Sequence, residues 1–597
     1  MSRLLLLYFL FLLLSSQILS SSFSFSNSTK LCPHHQTLAL LHLKQSFSIN
    51  NSSSLDCHAV GVTSYPKTES WKKGSDCCSW DGVTCDWVTG HVIELDLSCS
   101  WLFGTIHSNT TLFLLPHIQR LNLAFNNFSG SSISVGFGRF SSLTHLNLSD
   151  SGFSGLISPE ISHLSNLVSL DLSWNSDTEF APHGFNSLVQ NLTKLQKLHL
   201  GGISISSVFP NSLLNRSSLI SLHLSSCGLH GRFPDHDIHL PKLEVLNLWR
   251  NDDLSGNFPR FNENNSLTEL YLSSKNFSGE LPASIGNLKS LQTLDLSNCE
   301  FSGSIPASLE NLTQITSLNL NGNHFSGCSK LKSPFMSLRI IDLAHNDFEG
   351  DLPEMYLRSL KVTMNVDEDN MTRKYMGGNY YEDSVMVTIK GLEIEFVKIL
   401  NAFATIDLSS NKFQGEIPQS IGNLNSLRGL NLSHNNLTGH IPSSFGNLKL
   451  LESLDLSSNK LIGSIPQQLT SLIFLEVLNL SQNHLTGFIP KGNQFDTFGN
   501  DSYNGNSELC GFPLSKKCIA DETPEPSKEE DAEFENKFDW KFMLVGYGCG
   551  LVYGLSLGGI IFLIGKPKWF VSIIEENIHK KIRRCKRSTC RQGARRN

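Results

Sequence analysis

The chain has no excess of charge of one sign. Its 597 residues carry 47 Lys and Arg against 54 Asp and Glu, a net charge of −7. A basic face able to neutralise phosphates is therefore not expected, and no nucleic acid partner is. Catalytic constellations are missing as well. There is no glycine-rich phosphate loop ahead of a helix, no His-Arg-Asp run and no Asp-Phe-Gly run, which excludes a kinase. No nucleophile–base pairing is one that the fold described below would bring together, so the expectation is a protein that is not an enzyme and needs no cofactor. No carboxylate or cysteine accompanies the strand histidines at ligand spacing, so no metal site is expected.

The two ends are apolar. Residues 1–24 combine Arg3, the apolar run Leu4 to Leu14 and a serine tract, the pattern of a secretory signal peptide. Residues 542–565 are uncharged and apolar, ~36 Å of helix against a ~30 Å hydrocarbon core, and predict one transmembrane helix. An acidic stretch, 521–541, precedes it. The basic tail, 566–597, follows it and places the C-terminus in the cytosol, with the N-terminus extracellular. Inside the span, Gly546, Gly550, Gly554 and Gly558 recur every fourth residue. A step of four advances 400°, so the stripe drifts about 40° per glycine. That drift suits close right-handed packing against a second span. Cys585 and Cys590 in the tail are either palmitoylated or free cytosolic thiols.

Between the ends leucine recurs with a step of 24 residues, as in "LQKLHLGGISIS" from Leu195 and "LTELYLSSKNFSGELPASIGNLKS" from Leu267. About fifteen units fit L-x-x-L-x-L-x-x-N/C-x-L between His91 and Phe498. The fold class follows: an α/β-type solenoid with a parallel β-sheet on its concave face. L-x-L is a short strand with both leucines inward, and stacking supplies the core that one repeat lacks. Asn251, Asn323, Asn346, Asn411, Asn435, Asn459 and Asn483 fall where the chain leaves the strand, placed to satisfy backbone groups there. Cys227 and Cys299 take that place in two repeats and are read as buried and unpaired.

Outward strand positions mostly carry Ser, Asn, Asp or Thr. The exceptions cluster in the first block: Trp174, His199, His223, Trp249, Arg250 and Tyr271. Trp, Tyr and Arg are enriched at binding hot spots, so these six are the candidate ligand-binding set on the concave face. The alternative is scattered exposed side chains with no role.

The repeat fails over 361–402, an island that ends in the strand-like "VMVTIKGLEIEF". It divides a first block, 91–360, of about eleven repeats from a second, 403–498, of four. Cysteine-bearing caps flank the array at 25–90 and 499–520. Cys510 and Cys518 are expected to pair; Cys57 and Cys99 are left open, with pairing to each other one option. Sixteen N-x-S/T sequons occur. Candidate glycan acceptors are Asn27, Asn51, Asn109, Asn127, Asn147, Asn191, Asn215, Asn264, Asn276, Asn311, Asn370, Asn431, Asn436, Asn479 and Asn500. Asn147, Asn431 and Asn479 lie between inward leucines, so glycans there would close part of the concave face.

The order of these parts, with "SWKKGSDCCSWDGVTC", "FSGELPASIGNL", "VTIKGLEIEFVKILNAFATIDLSSNKFQGEIP" and "GNSELCGFPLSKKC", resembles the plant leucine-rich-repeat receptor-like proteins, closest to the tomato leaf-mould resistance type. The resemblance implies a twisted superhelix with a second sheet edge and an N-terminal cap in which Cys32 pairs with Cys77 and Cys78 with Cys85. It also implies a plasma-membrane receptor that detects a microbial protein or peptide outside the cell and signals plant immunity. The partners would be an adaptor receptor kinase, docked on the glycine ridge, and a co-receptor kinase recruited by ligand. The first block is shorter than that type usually carries. Other readings are a developmental peptide-hormone receptor, a polygalacturonase-inhibitor-like binder and a truncated decoy.

Overall fold

A unit that turns two leucines inward from three residues of strand has no core of its own, and only its neighbours can cover it. The computed structural model describes residues 31–518 apart from 60, 236–237, 239, 329–336, 355–359, 361–384, 390–391 and 397–402. Within them, sixteen short strands form one concave sheet. Val83–Cys85 and Val92–Asp96 pair antiparallel; the strands that follow pair in parallel. The first leucine of each L-x-L carries the register: Leu198, Leu222, Leu246, Leu270, Leu294 and Leu318 are directly paired and buried.

The asparagine at the strand exit works as the spacing suggested. Asn459 Nδ2 donates to the carbonyls of Leu432 (2.9 Å), Leu456 (3.2 Å) and Ser457 (3.1 Å), and its Oδ1 accepts from Leu437 N–H at 3.0 Å. One side chain thus ties its own corner to the repeat before it. Asn126, Asn175 and Asn506 extend the ladder to both ends of the array. Cys227 and Cys299 sit in it as thiols, Cys227 Sγ donating to Leu200 O at 3.1 Å. Burial pushes both thiols up to about 12, so neither is a reactive thiolate.

On the convex side, short 3₁₀ turns follow a proline, as at Ala283–Asn287 after Pro282 and Ser443–Asn447 after Pro442. Proline fixes φ and gives up an N–H that a first turn leaves unused. Between sheet and turns runs a phenylalanine column. Phe301, Phe325, Phe348 and Phe413 stack at 6.0–6.4 Å. Beside them a second set of parallel strands, such as Asn276–Glu280 with Glu300–Ile305, forms the second sheet edge. Gly303 there has φ +79°, a conformation that favours glycine.

The island does not interrupt the solenoid. Ile340, Ile341 and Asp342 pair in parallel with Thr405, Ile406 and Asp407 on its far side. Asn411 Nδ2 donates across it to Leu343 O at 2.9 Å, and Phe348 stacks on Phe413. The run predicted as strand-like is an antiparallel hairpin, Val385–Ile389 with Leu392–Phe396.

At the N-terminal cap, helix His34–Gln45 meets strand Val92–Asp96, where Gln36 Oε1 accepts from Val92 N–H at 2.9 Å. Disulfides join Cys32 to Cys77, Cys57 to Cys99, Cys78 to Cys85 and Cys510 to Cys518, which settles the partner of Cys57. Among the described residues no helix is long and apolar enough to cross a membrane. The expected signal peptide, the acidic and basic stretches and the expected span with Gly546, Gly550, Gly554 and Gly558 lie outside those residues.

Asn459→Ala leaves buried carbonyls without donors and is expected to cost about 3 kcal/mol, read as a lower urea midpoint of the purified protein. Asn459→Cys, which copies Cys227 and Cys299, is expected to lose about half as much.

Candidate functional site

The six candidate side chains separate into three settings. His199, His223 and Tyr271 stand on successive concave strands in one column with Asp171, Asn247 and Asp295. They were expected to project as free contacts; instead they are only 5–8 % exposed. Strands ~4.8 Å apart press neighbouring side chains flank to flank, and large ones cover each other. The His199 and His223 rings are 4.5 Å apart, His199 Nδ1 is 3.9 Å from Asp171 Oδ2, and Tyr271 OH donates to Glu269 Oε2 at 3.2 Å.

Trp174 and Arg250 are not on strands. They occupy the left-handed corner just before the ladder asparagine, with φ of +60° and +54°. That corner turns the side chain toward the rim, and Trp174 is 49 % exposed. Trp249, one residue earlier, is half-buried, and the Arg250 guanidinium lies 4.1 Å over its ring. Such a cation–π contact holds both side chains in one orientation.

What lies beside this pair is legible only as a defect in the asparagine column. Counting three residues beyond the second leucine gives Asn251 after Leu248 and Asn323 after Leu320, but Lys275 after Leu272. An ammonium cannot take the buried place of an amide without a large desolvation cost. Lys275 accordingly turns out, 75 % exposed, 4.0 Å from Asp252 Oδ2. Ser274 replaces it inside, its hydroxyl donating to Asn251 O at 2.6 Å and its N–H to Cys299 Sγ at 3.4 Å.

Around this irregular corner opens a concave-side cavity of about 470 Å³. Trp249, Arg250, Asp252, Ser274, Lys275, Asn298, Asn321 and Asp342 line it. Of the six candidates it gathers Trp249 and Arg250. His199, His223 and Tyr271 flank it on the sheet, and Trp174 sits three repeats away. The wall offers two cations, an aromatic face, amides and hydroxyls, which is equipment for binding a polar chain and not for bond making.

Asp342, on the cavity wall, belongs to an acid ladder that runs along the concave sheet. Asp342 Oδ1 accepts from Ala344 N–H at 3.0 Å and Oδ2 from Asn321 Nδ2 at 3.3 Å. Asp407 is its partner on the next strand. Burial, and then the Asp407 charge, pushes the Asp342 carboxyl well above the usual carboxylate range; burial also raises Asp407 and Asp295.

Among the sequons, Asn51, Asn109, Asn191, Asn215, Asn264, Asn276, Asn311 and Asn500 are exposed. Asn127, Asn147, Asn431, Asn436 and Asn479 are half-buried, and Asn27 and Asn370 lie outside the described residues. On the concave face Asn431 Nδ2 donates to Asp407 Oδ2 (3.0 Å) and Asn479 Nδ2 to Asp455 Oδ2 (3.1 Å).

Fold and site together define a leucine-rich-repeat binding protein. Residues 265–325 and 401–461 match the family described as Leucine rich repeat, and residues 33–86 match its N-terminal domain. Receptor-like protein 9DC3 of Solanum pimpinellifolium is 34% identical over an alignment that covers 95% of this chain and 97% of that protein. Receptor-like protein Cf-9 of the same species is 42% identical over 45% of this chain, and Receptor-like protein 6 of Arabidopsis thaliana 43% over 47%. In those two alignments the chain spans less than a third of the relative, 31% and 30%. Of solved structures, a TDR receptor shares 26% identity over 69% of this chain and 68% of that one, with a TM-score of 0.49. The chain belongs to the plant leucine-rich-repeat receptor-like proteins of the Cf-9 type, a ligand-binding family without enzymatic activity.

The acid ladder sets a pH dependence. A carboxyl whose folded value lies above the unfolded 3.8 keeps its proton in the native protein after the unfolded chain has lost it. Stability then falls as pH rises from about 4 through neutrality. The urea midpoint is expected to fall between about pH 5 and about pH 8, and Asp342→Asn, neutral throughout, to flatten that fall.

Proposed function

We propose that this protein is a cell-surface recognition subunit. Its concave cavity takes an extracellular protein or peptide, in the first instance one of pathogen origin, and the bound state triggers plant immune signalling through partner receptor kinases. The observation that carries the reading is the cavity at the Lys275 corner, with the Trp249–Arg250 stack on its wall. Membership of the Cf-9 type supports the defence role. The sequence carries no kinase motif, and the reading assigns phosphotransfer to a partner chain.

Residues 542–565 anchor the protein as a single-pass type I span of the plasma membrane. The ridge Gly546, Gly550, Gly554 and Gly558 lets the backbone of an adaptor kinase's span approach closely, where apolar burial gives no drive of its own. Ligand then recruits a co-receptor kinase to the ectodomain.

Trp249→Ala removes the aromatic wall and releases Arg250. With an eliciting microbial fraction, it is expected to weaken capture of the elicitor at least ~30-fold, about 2 kcal/mol, while surface expression is unchanged. Wild-type affinity in that variant removes the cavity from the reading. Gly550→Leu with Gly554→Leu is expected to abolish co-purification of the adaptor kinase from plant membranes without altering ligand capture. Undiminished co-purification contradicts the ridge.

A further inference from the structure

The convex side carries a second cavity, of about 360 Å³, that the ligand-binding reading does not use. Its origin is local. The repeat that follows fills this level with a 3₁₀ turn, Ala283–Asn287, and so does the repeat two before it, Asn211–Asn215. Among the described residues no helical turn lies between them. Where "PASIGNLKS" supplies Ile285 and Leu288 to cover the core, the equivalent stretch reads "PRFNENNS", one residue shorter and without an aliphatic side chain. Leu240, Leu243, Phe261 and Leu267, 1–5 % exposed, form an apolar floor with Pro241.

The rim is polar and held in place. Asn265 Nδ2 donates to Asn262 O (2.6 Å) and Asn287 O (3.1 Å), and Ser266 Oγ donates to Pro241 O at 2.9 Å. Asn264 stands on that rim, exposed, and begins the sequon Asn264-Asn265-Ser266. An N-acetylglucosamine ring has an apolar C–H face and a methyl group, with hydroxyls around its edge. It matches an apolar floor with an amide rim.

We propose that the cavity is the seat of the Asn264 glycan: the first sugars of an N-linked chain fold back over Phe261 and Leu240 and replace the missing 3₁₀ turn as cover for the core. The glycan is then a structural part of the solenoid and not a tolerated decoration. The inference rests on the secretory reading of the chain, since only a secreted ectodomain meets the glycosylation machinery.

Asn215 and Asn311 are the internal references, because both are exposed at the ends of regular 3₁₀ turns with their level filled. The full-length receptor, purified from plant membranes, is digested under native conditions with a peptide-N-glycosidase and followed by site-resolved mass spectrometry. Asn264 is expected to be occupied and released at least about tenfold more slowly than Asn215 and Asn311, the difference vanishing after denaturation. Release at the reference rate overturns the proposal, as does a bare Asn264 beside occupied references. If every site is bare, the secretory reading fails with it.

Discussion

At the end of every concave strand the backbone must turn away with its amides and carbonyls pointing into the stack, where no water can reach them. This is the constraint on which the rest depends, because a buried polar group without a partner costs more than a single repeat can offset. The asparagine column answers it, one side chain closing its own corner and reaching back to the preceding repeat. The leucines give the array its cohesion, and the corner ties one repeat to the next. Where another residue stands there, a thiol or hydroxyl still donates, as at Cys227 and Ser151, an aliphatic side chain fills the place, as at Ile203, or the chain rearranges, as at Lys275.

The same constraint explains where the protein is free to vary. The island leaves and rejoins the stack between two strands that remain paired, so the hydrogen-bond ladder and the phenylalanine column cross it intact. Length added there costs little beyond loop closure. The two cavities have kindred origins, each beside a repeat that departs from the pattern. On the concave side the departure is one ladder residue; on the convex side it is a missing helical turn.

Much of this was legible in the amino-acid sequence, for a physical reason. A period of 24 with two inward leucines admits one stacking geometry, so the sheet, its direction and the ladder residues could be read directly. Exposure could not. Alternation places His199, His223 and Tyr271 outward, but it says nothing of the neighbours one strand away that cover them. Nor does it register that Trp174 and Arg250 fall three residues past the strand, in a left-handed corner. Lys275 carried a signal that went unused: it breaks the asparagine column. The pairing of Cys57 with Cys99 was beyond reach, because nothing in the spacing distinguishes it.

The central claim is that ligand is read at the Lys275 corner and not along the whole concave face. Tryptophan reactivity reports on this directly, since Trp249 lies in the cavity, whereas Trp174 is 49 % exposed three repeats away and Trp87 is 85 % exposed in the N-terminal cap. Hydroxyl-radical footprinting of the intact receptor, with and without an eliciting microbial fraction, should show oxidation of Trp249 suppressed and that of Trp174 and Trp87 unchanged. Suppression at Trp174 alone, with Trp249 oxidised as before, would contradict the account.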